Sequence, residues 1–161
     1  MRFNRLLTPS VFAVLFAACS SGEADQQPVE ESVRQATLPQ NLCALLPQAD
    51  AERIMGKSLA RQRDDDSGCH YQDAGGTTGT SLWVFLNAFE VSDQCRLTPG
   101  SEPLTGVGDE ACIAVGRPDG LYTTVVFRGG GRTFEVIAPD QERSSERATA
   151  VAKVILSKLG S

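Results

Sequence analysis

The chain has 161 residues, with 15 basic and 20 acidic side chains, one His and five Cys. That length suits one domain of ordinary size and does not suffice for two. The net charge of −5 argues against a nucleic-acid partner, because neutralising phosphates requires a basic patch.

Met1 to Ala18 reads as a secretory leader: Arg2 and Arg5 precede an apolar stretch that starts at Leu6 and closes on small residues. The apolar run is about 13 residues, short of the roughly 20 that span a bilayer core, which disfavours an uncleaved membrane helix. The segment Leu15-Phe16-Ala17-Ala18-Cys19 resembles a bacterial lipobox. The resemblance implies lipidation of Cys19 as a new N-terminus, with each buried acyl methylene contributing about 0.8 kcal/mol of membrane affinity. Ser20 stands where Asp would favour inner-membrane retention. The expected address is therefore the outer membrane facing the periplasm in a Gram-negative cell, or the outer face of the plasma membrane otherwise. Removing Arg2 and Arg5 with the leader leaves 13 basic against 20 acidic residues, a net charge of −7. Residues 19–37 are polar and acidic and bury too little to offset chain entropy, so they read as a disordered tether. A single domain is expected over residues 38–161.

Asn41 to Leu46 can form one helical turn capped by Asn41, and Pro47 opens a second helical segment, Gln48 to Met55, that Gly56 terminates. A charged stretch, Arg61 to Asp66, leads to a short strand at Gly68 to Gln72. Ser81 to Phe89 is apolar on both alternating faces apart from Asn87, which predicts a central strand covered on both sides. Ala111 to Val115 and Leu121 to Arg128 read as further strands. Gly129-Gly130-Gly131 then turns the chain into Arg132 to Ala138, the clearest hairpin signal present. A helix from about Gln141 or Ser144 to Leu159 closes the chain, with Ala148, Val151, Ala152, Ile155 and Leu159 on one face and Gly160 at the stop. The fold class is α+β, an antiparallel sheet packed with a short N-terminal helix and a C-terminal amphipathic helix. There is no long internal repeat, although each half holds one Cys pair, strands and a helix.

Cys43, Cys69, Cys95 and Cys112 are an even number of thiols in a chain read as exported, which implies two disulfides. Three connectivities are possible; local loop closure favours Cys43 with Cys69 and Cys95 with Cys112. Loops of these sizes contribute on the order of 3 to 3.5 kcal/mol each in the chain-entropy picture. Metal binding through these thiols is not expected, since neither a C-x-x-C nor an H-x-x-x-H pair occurs.

Gly106-Val-Gly-Asp-Glu-Ala111 matches the dinucleotide-binding string G-x-G-x-x-[GA], but no strand precedes it and an apolar strand follows. No cofactor is expected. It reads instead as a tight turn delivering Cys112 into the sheet, with Gly106 and Gly108 in glycine-only conformations and Asp109 capping backbone amides. Asp64-Asp65-Asp66-Ser67-Gly68 lacks the alternating ligands of a calcium loop and reads as a solvated turn. His70 is the single histidine, no G-x-S-x-G elbow exists, and the thiols are committed, so no catalytic constellation is expected. Trp83, in the most apolar strand, reads as core. If a binding surface exists, the turn Gly106, Gly108, Asp109 and Glu110 and the glycine run at Gly129 are where loops held on a stapled sheet would present it.

Cys43-Ala-Leu-Leu-Pro-Gln-Ala-Asp50 leading to Ile54-Met55-Gly56, then Cys69-His70-Tyr71, then Gly106-Val-Gly-Asp-Glu-Ala111 before a Val-rich hairpin, resembles a family of small bacterial lipoproteins of unknown function abundant in actinobacteria. The resemblance implies a secreted α+β domain on a lipid anchor, without catalytic residues to carry over. A fold-level likeness to extracellular sensor domains of bacterial kinases implies ligand or partner binding. The expected function is a non-catalytic, lipid-anchored binding module of the cell envelope; the alternative is an inhibitor or immunity protein against a secreted envelope hydrolase. Expected partners are the membrane, through the anchor, and an envelope protein.

Overall fold

The computed structural model describes residues 39, 41–75, 81–116, 122–139 and 143–160. The leader, Cys19, the tether, Leu121 and Gln141 lie outside them. A short 3-10 turn, Leu42–Ala44, and α1, Gln48–Met55, lead into a three-strand meander: β1 Leu59–Asp64, β2 Gly68–Asp73 and β3 Leu82–Asn87. Helix α2, Val91–Leu97, then leads into β4 Glu102–Pro103, β5 Ala111–Ala114, β6 Tyr122–Gly129 and β7 Arg132–Pro139, and α3, Ser144–Leu159, ends the described chain. All seven strands form one sheet in the order β1-β2-β3-β7-β6-β5-β4, antiparallel at every pairing. The α+β class is as expected, and both disulfides take the local pairing, Cys43–Cys69 and Cys95–Cys112.

The β6–β7 hairpin pairs eight residues on each side, from Tyr122↔Pro139 to Gly129↔Arg132. Gly130 and Gly131, with φ of 56° and 74°, occupy the two-residue loop, the positive-φ pair whose twist matches flanking strands. Alternation along these strands sorts residues between two faces. Thr123, Val125 and Phe127 of β6 meet Ala138, Val136 and Phe134 of β7 on the first face, and Leu82, Val84, Cys69 and Tyr71 extend that face through β3 and β2. Helix α3 covers it with Ala148, Val151, Ala152 and Ile155, and α1 adds Ala51 and Met55. Tyr71 is fully buried there, and its hydroxyl donates to the Leu46 carbonyl at 2.7 Å. The second face has a thinner cover: Val91 and Cys95 of α2 over Cys112 and Val126.

Four expectations differ from the structure. The charged stretch is strand β1, stabilised as a sheet edge by Leu59, the one residue of that strand that is buried. Helix α2 had no strong sequence signal, because Val91 is its one buried residue. Asn41 precedes the 3-10 turn without a side-chain cap. Strand β3 lies inside the sheet but is not covered on both sides: Leu82 and Val84 are buried, whereas Trp83 and Phe85 on the second face are half-buried.

The turn at Gly106 is packed tightly against the hairpin. Gly106 and Gly108 have φ of 75° and 59°, Val107 between them is buried in the main core, and the Arg128 amide donates to the Glu110 carbonyl at 2.9 Å. A Cβ on Gly108 would stand 2.1 Å from the Arg128 carbonyl oxygen, whereas one on Gly131 meets nothing. Both sites impose the left-handed cost of about 1–2 kcal/mol on an L-residue, but the collision belongs to Gly108 alone. Gly131→Ala is therefore expected to lower stability by about that amount, and Gly108→Ala by upwards of about 3 kcal/mol, in urea unfolding of the oxidised protein. Equal losses would mean the turn is not held against β6.

Candidate functional site

Of the four residues expected to form a binding turn, two are glycines of positive φ and two face solvent. Gly106 and Gly108 shape the backbone, while Asp109 and Glu110 are exposed. Among the described residues the Asp109 carboxylate makes none of the capping bonds expected of it. Glu110 instead joins an ion network: Arg128, projecting from β6, pairs with Glu110 at 3.3 Å and with Glu90 at the start of α2. The two carboxylates raise the Arg128 pKa above its ordinary value. This network ties α2, the turn and the hairpin together at one end of the sheet.

Beside it, between α2 and the β4–β5 pair, lies a cavity of about 360 Å³, lined by Ser92, Cys95, Arg96, Ser101, Glu102 and Glu110 among others. The walls are stiff for identifiable reasons. Cys95 and Cys112 bridge helix to strand with Cα atoms 6.0 Å apart, the Ser101 hydroxyl donates to the Cys95 carbonyl at 2.6 Å, and the Leu104 amide donates to the Ala111 carbonyl at 2.9 Å. Glu102 and Asp109 are exposed, and Arg96 pairs with Asp93 at 3.0 Å. The rim thus presents carboxylates on an immobile backbone.

Trp83 is not core. It lies on the second face, its ring stacked on His70 with centroids 3.4 Å apart and planes 4° from parallel, and Phe85 continues the stack at 5.5 Å. The pairing of His70 with Trp83 across β2 and β3 sets this geometry. Among the described residues His70 Nε2 is buried without a hydrogen-bond partner, as is Thr124 Oγ1 in the same cross-strand row. With no acceptor to hold a proton, burial lowers the His70 pKa below its ordinary value of 6.5. The imidazole thus lies flat against the indole with its Nε2 enclosed.

The Asp64 to Gly68 segment is a self-satisfied turn. Asp65 accepts from the Ser67 and Gly68 amides at 3.0 and 2.8 Å and pairs with Arg63, which holds its carboxyl well below the usual range. Among the described residues no cluster of three or more His, Cys, Asp or Glu is arranged to hold a metal ion, and no helix is long and apolar enough to cross a membrane. No family model matches the chain, nor does any curated protein or solved structure.

Sequence reasoning found the acidic turn but missed its other wall, because α2 offers no hydrophobic periodicity. The His70 state has a measurable consequence. A histidine whose folded pKa is depressed contributes stability that is complete above its unfolded value and declines as pH falls below it. Oxidised protein is expected to be more stable at about pH 7.5 than at about pH 5, and His70→Phe, which keeps a ring on Trp83, should flatten that difference in paired urea titrations. An unchanged slope in the variant would assign the acid sensitivity to other groups.

Proposed function

We propose that the chain is a lipid-anchored cell-envelope protein whose stapled domain binds a protein partner through its acidic end, without catalysing a reaction. The observation that carries this reading is the cavity between α2 and β4–β5, rimmed by Glu102 and Glu110 and held rigid by the Cys95–Cys112 bridge. Preformed walls lower the ordering cost of association. The lipobox-like Leu15 to Cys19 segment and the polar tether support the address, and the resemblance to small actinobacterial lipoproteins is part of the same reading.

The carboxylate rim favours a basic partner, since complementary charge speeds encounter and fixes orientation. The narrower form of the proposal follows from that complementarity: an inhibitor of a basic envelope hydrolase. Its acidic loop end would meet the enzyme's basic surface and so block approach to the cleft, while the anchor keeps the inhibitor where the enzyme acts.

Glu102 and Asp109 are exposed and neither is in an ion pair among the described residues, so reversing both is expected to leave the fold in place. Oxidised, anchored wild-type protein is expected to retain a defined basic envelope protein at low salt, release it as salt rises, and lose it in the Glu102→Lys/Asp109→Lys variant. Association should slow roughly tenfold or more. An identical set of captured proteins for wild type and variant would overturn the acidic-end reading. Inhibition of a purified basic muramidase by wild type but not by the variant would establish the inhibitor form.

A further inference from the structure

A second cavity, of about 380 Å³, opens where α1 meets the first turn of α3. Three guanidinium groups line it, Arg53 from α1, Arg143 at the N-cap of α3 and Arg147 within α3, with one carboxylate, Glu146, and an apolar wall of Ile54 and Ala150. In a chain of net charge −5, three arginines against one glutamate on a concavity are a local reversal of sign. Arg53 pairs with Asp50, and Arg143 with Glu146, in i,i+3 contacts within single helical segments. The side chains of both arginines are about two-thirds exposed, at 66% and 69%, and pairs of that kind contribute little to stability. Arg147 is half-buried and has no acidic partner among the described residues.

Arg143 adds an independent observation. It is the one described non-glycine residue with positive φ, at 65°, a conformation that glycine adopts freely and an arginine does not. It stands at the N-cap of α3 yet makes no side-chain cap bond. The residue therefore relieves neither the backbone nor the helix end. What it does supply is a guanidinium at the cavity mouth, and strain retained at such a position points to use.

We propose that this arginine-walled cavity binds the phosphoryl group of a small organic phosphate. Guanidinium forks match phosphate oxygens bidentately, so Arg147 would supply the fixed contact, and Arg53 and Arg143 would turn inward from their exposed pairs. The cavity lies at the small end of ligand-site volumes. The Ile54 and Ala150 wall suits the carbon skeleton of an ester better than a bare anion. Glycerol phosphate has this chemistry, either as a free ester or as the headgroup of an anionic phospholipid.

The intact, oxidised protein can be probed by hydrogen exchange in neutral phosphatidylcholine vesicles, with and without added glycerol 3-phosphate, and in vesicles containing phosphatidylglycerol. Saturable protection of amides in residues 50–56 and 144–150 is expected. Protection by the free ester assigns a soluble ligand, and protection by phosphatidylglycerol alone assigns a headgroup. Arg147→Gln should weaken the response roughly tenfold or more. Arg143→Gly should weaken it too while leaving the melting temperature equal or higher, because glycine accepts the left-handed backbone; that separates loss of ligand from loss of fold. No protection under either condition, or protection unchanged in Arg147→Gln, would overturn the proposal.

Discussion

The eight-pair ladder between β6 and β7 is the interaction on which the other elements depend. It is long, local in sequence and closed by two glycines whose backbone conformations suit a two-residue loop. Strand β3 joins one side of it and β5 the other, α3 lies across its first face, and the Gly106 turn closes against the Arg128 carbonyl at its end. The residues Val125, Val126, Phe127, Phe134 and Val136 are all fully buried, so the ladder sits between two covered layers where its backbone bonds are shielded from water.

The two disulfides repeat one arrangement on opposite faces. In the first half, Cys43 beside α1 reaches Cys69 in β2, the middle strand of β1-β2-β3; in the second, Cys95 in α2 reaches Cys112 in β5, the middle strand of β4-β5-β6. The strand order reads outward from β7 in mirror fashion. The two sides differ in depth, however. The first face has a broad core under α1 and α3, while the apolar cluster under α2 on the second is Val91, Cys112 and Val126 with a half-buried Cys95.

How much could be read from sequence followed this depth. The hairpin, α1, α3 and both disulfide pairings were legible, because alternation, helical spacing, glycine stops and local loop closure each act over few residues. Strand β1 was not, since Arg61 to Asp64 are polar and, like Ala60, exposed or half-exposed, and they belong to the sheet through Leu59 and pairing with β2. Trp83 illustrates a different limit. Its strand is apolar on both sides, but composition does not say that α2 would cover β5 and β6 and leave β2 and β3 half open. The turn at Gly106 was readable as a turn, and its acids as exposed. The α2 wall was hidden by the polarity of that helix. The arginine cavity was out of reach altogether, because Arg53 and Arg147 are distant in sequence and meet only when α1 packs on α3.

The thinness of the second face gives the Cys95–Cys112 bond a role beyond general stability. With so little apolar area beneath it, α2 depends on the covalent link, beside the Glu90–Arg128 pair and the Gln94–Glu135 hydrogen bond, where a broader helix would be retained by burial, and regions of that kind open as independent units. Reduction would release α2 while the deeper first face stayed packed. Ser92 and Arg96 would leave the acidic rim with it. On the proposed reading, partner binding at that rim would require an oxidising compartment: a chain with reduced thiols would carry the same acids without the surface that arranges them.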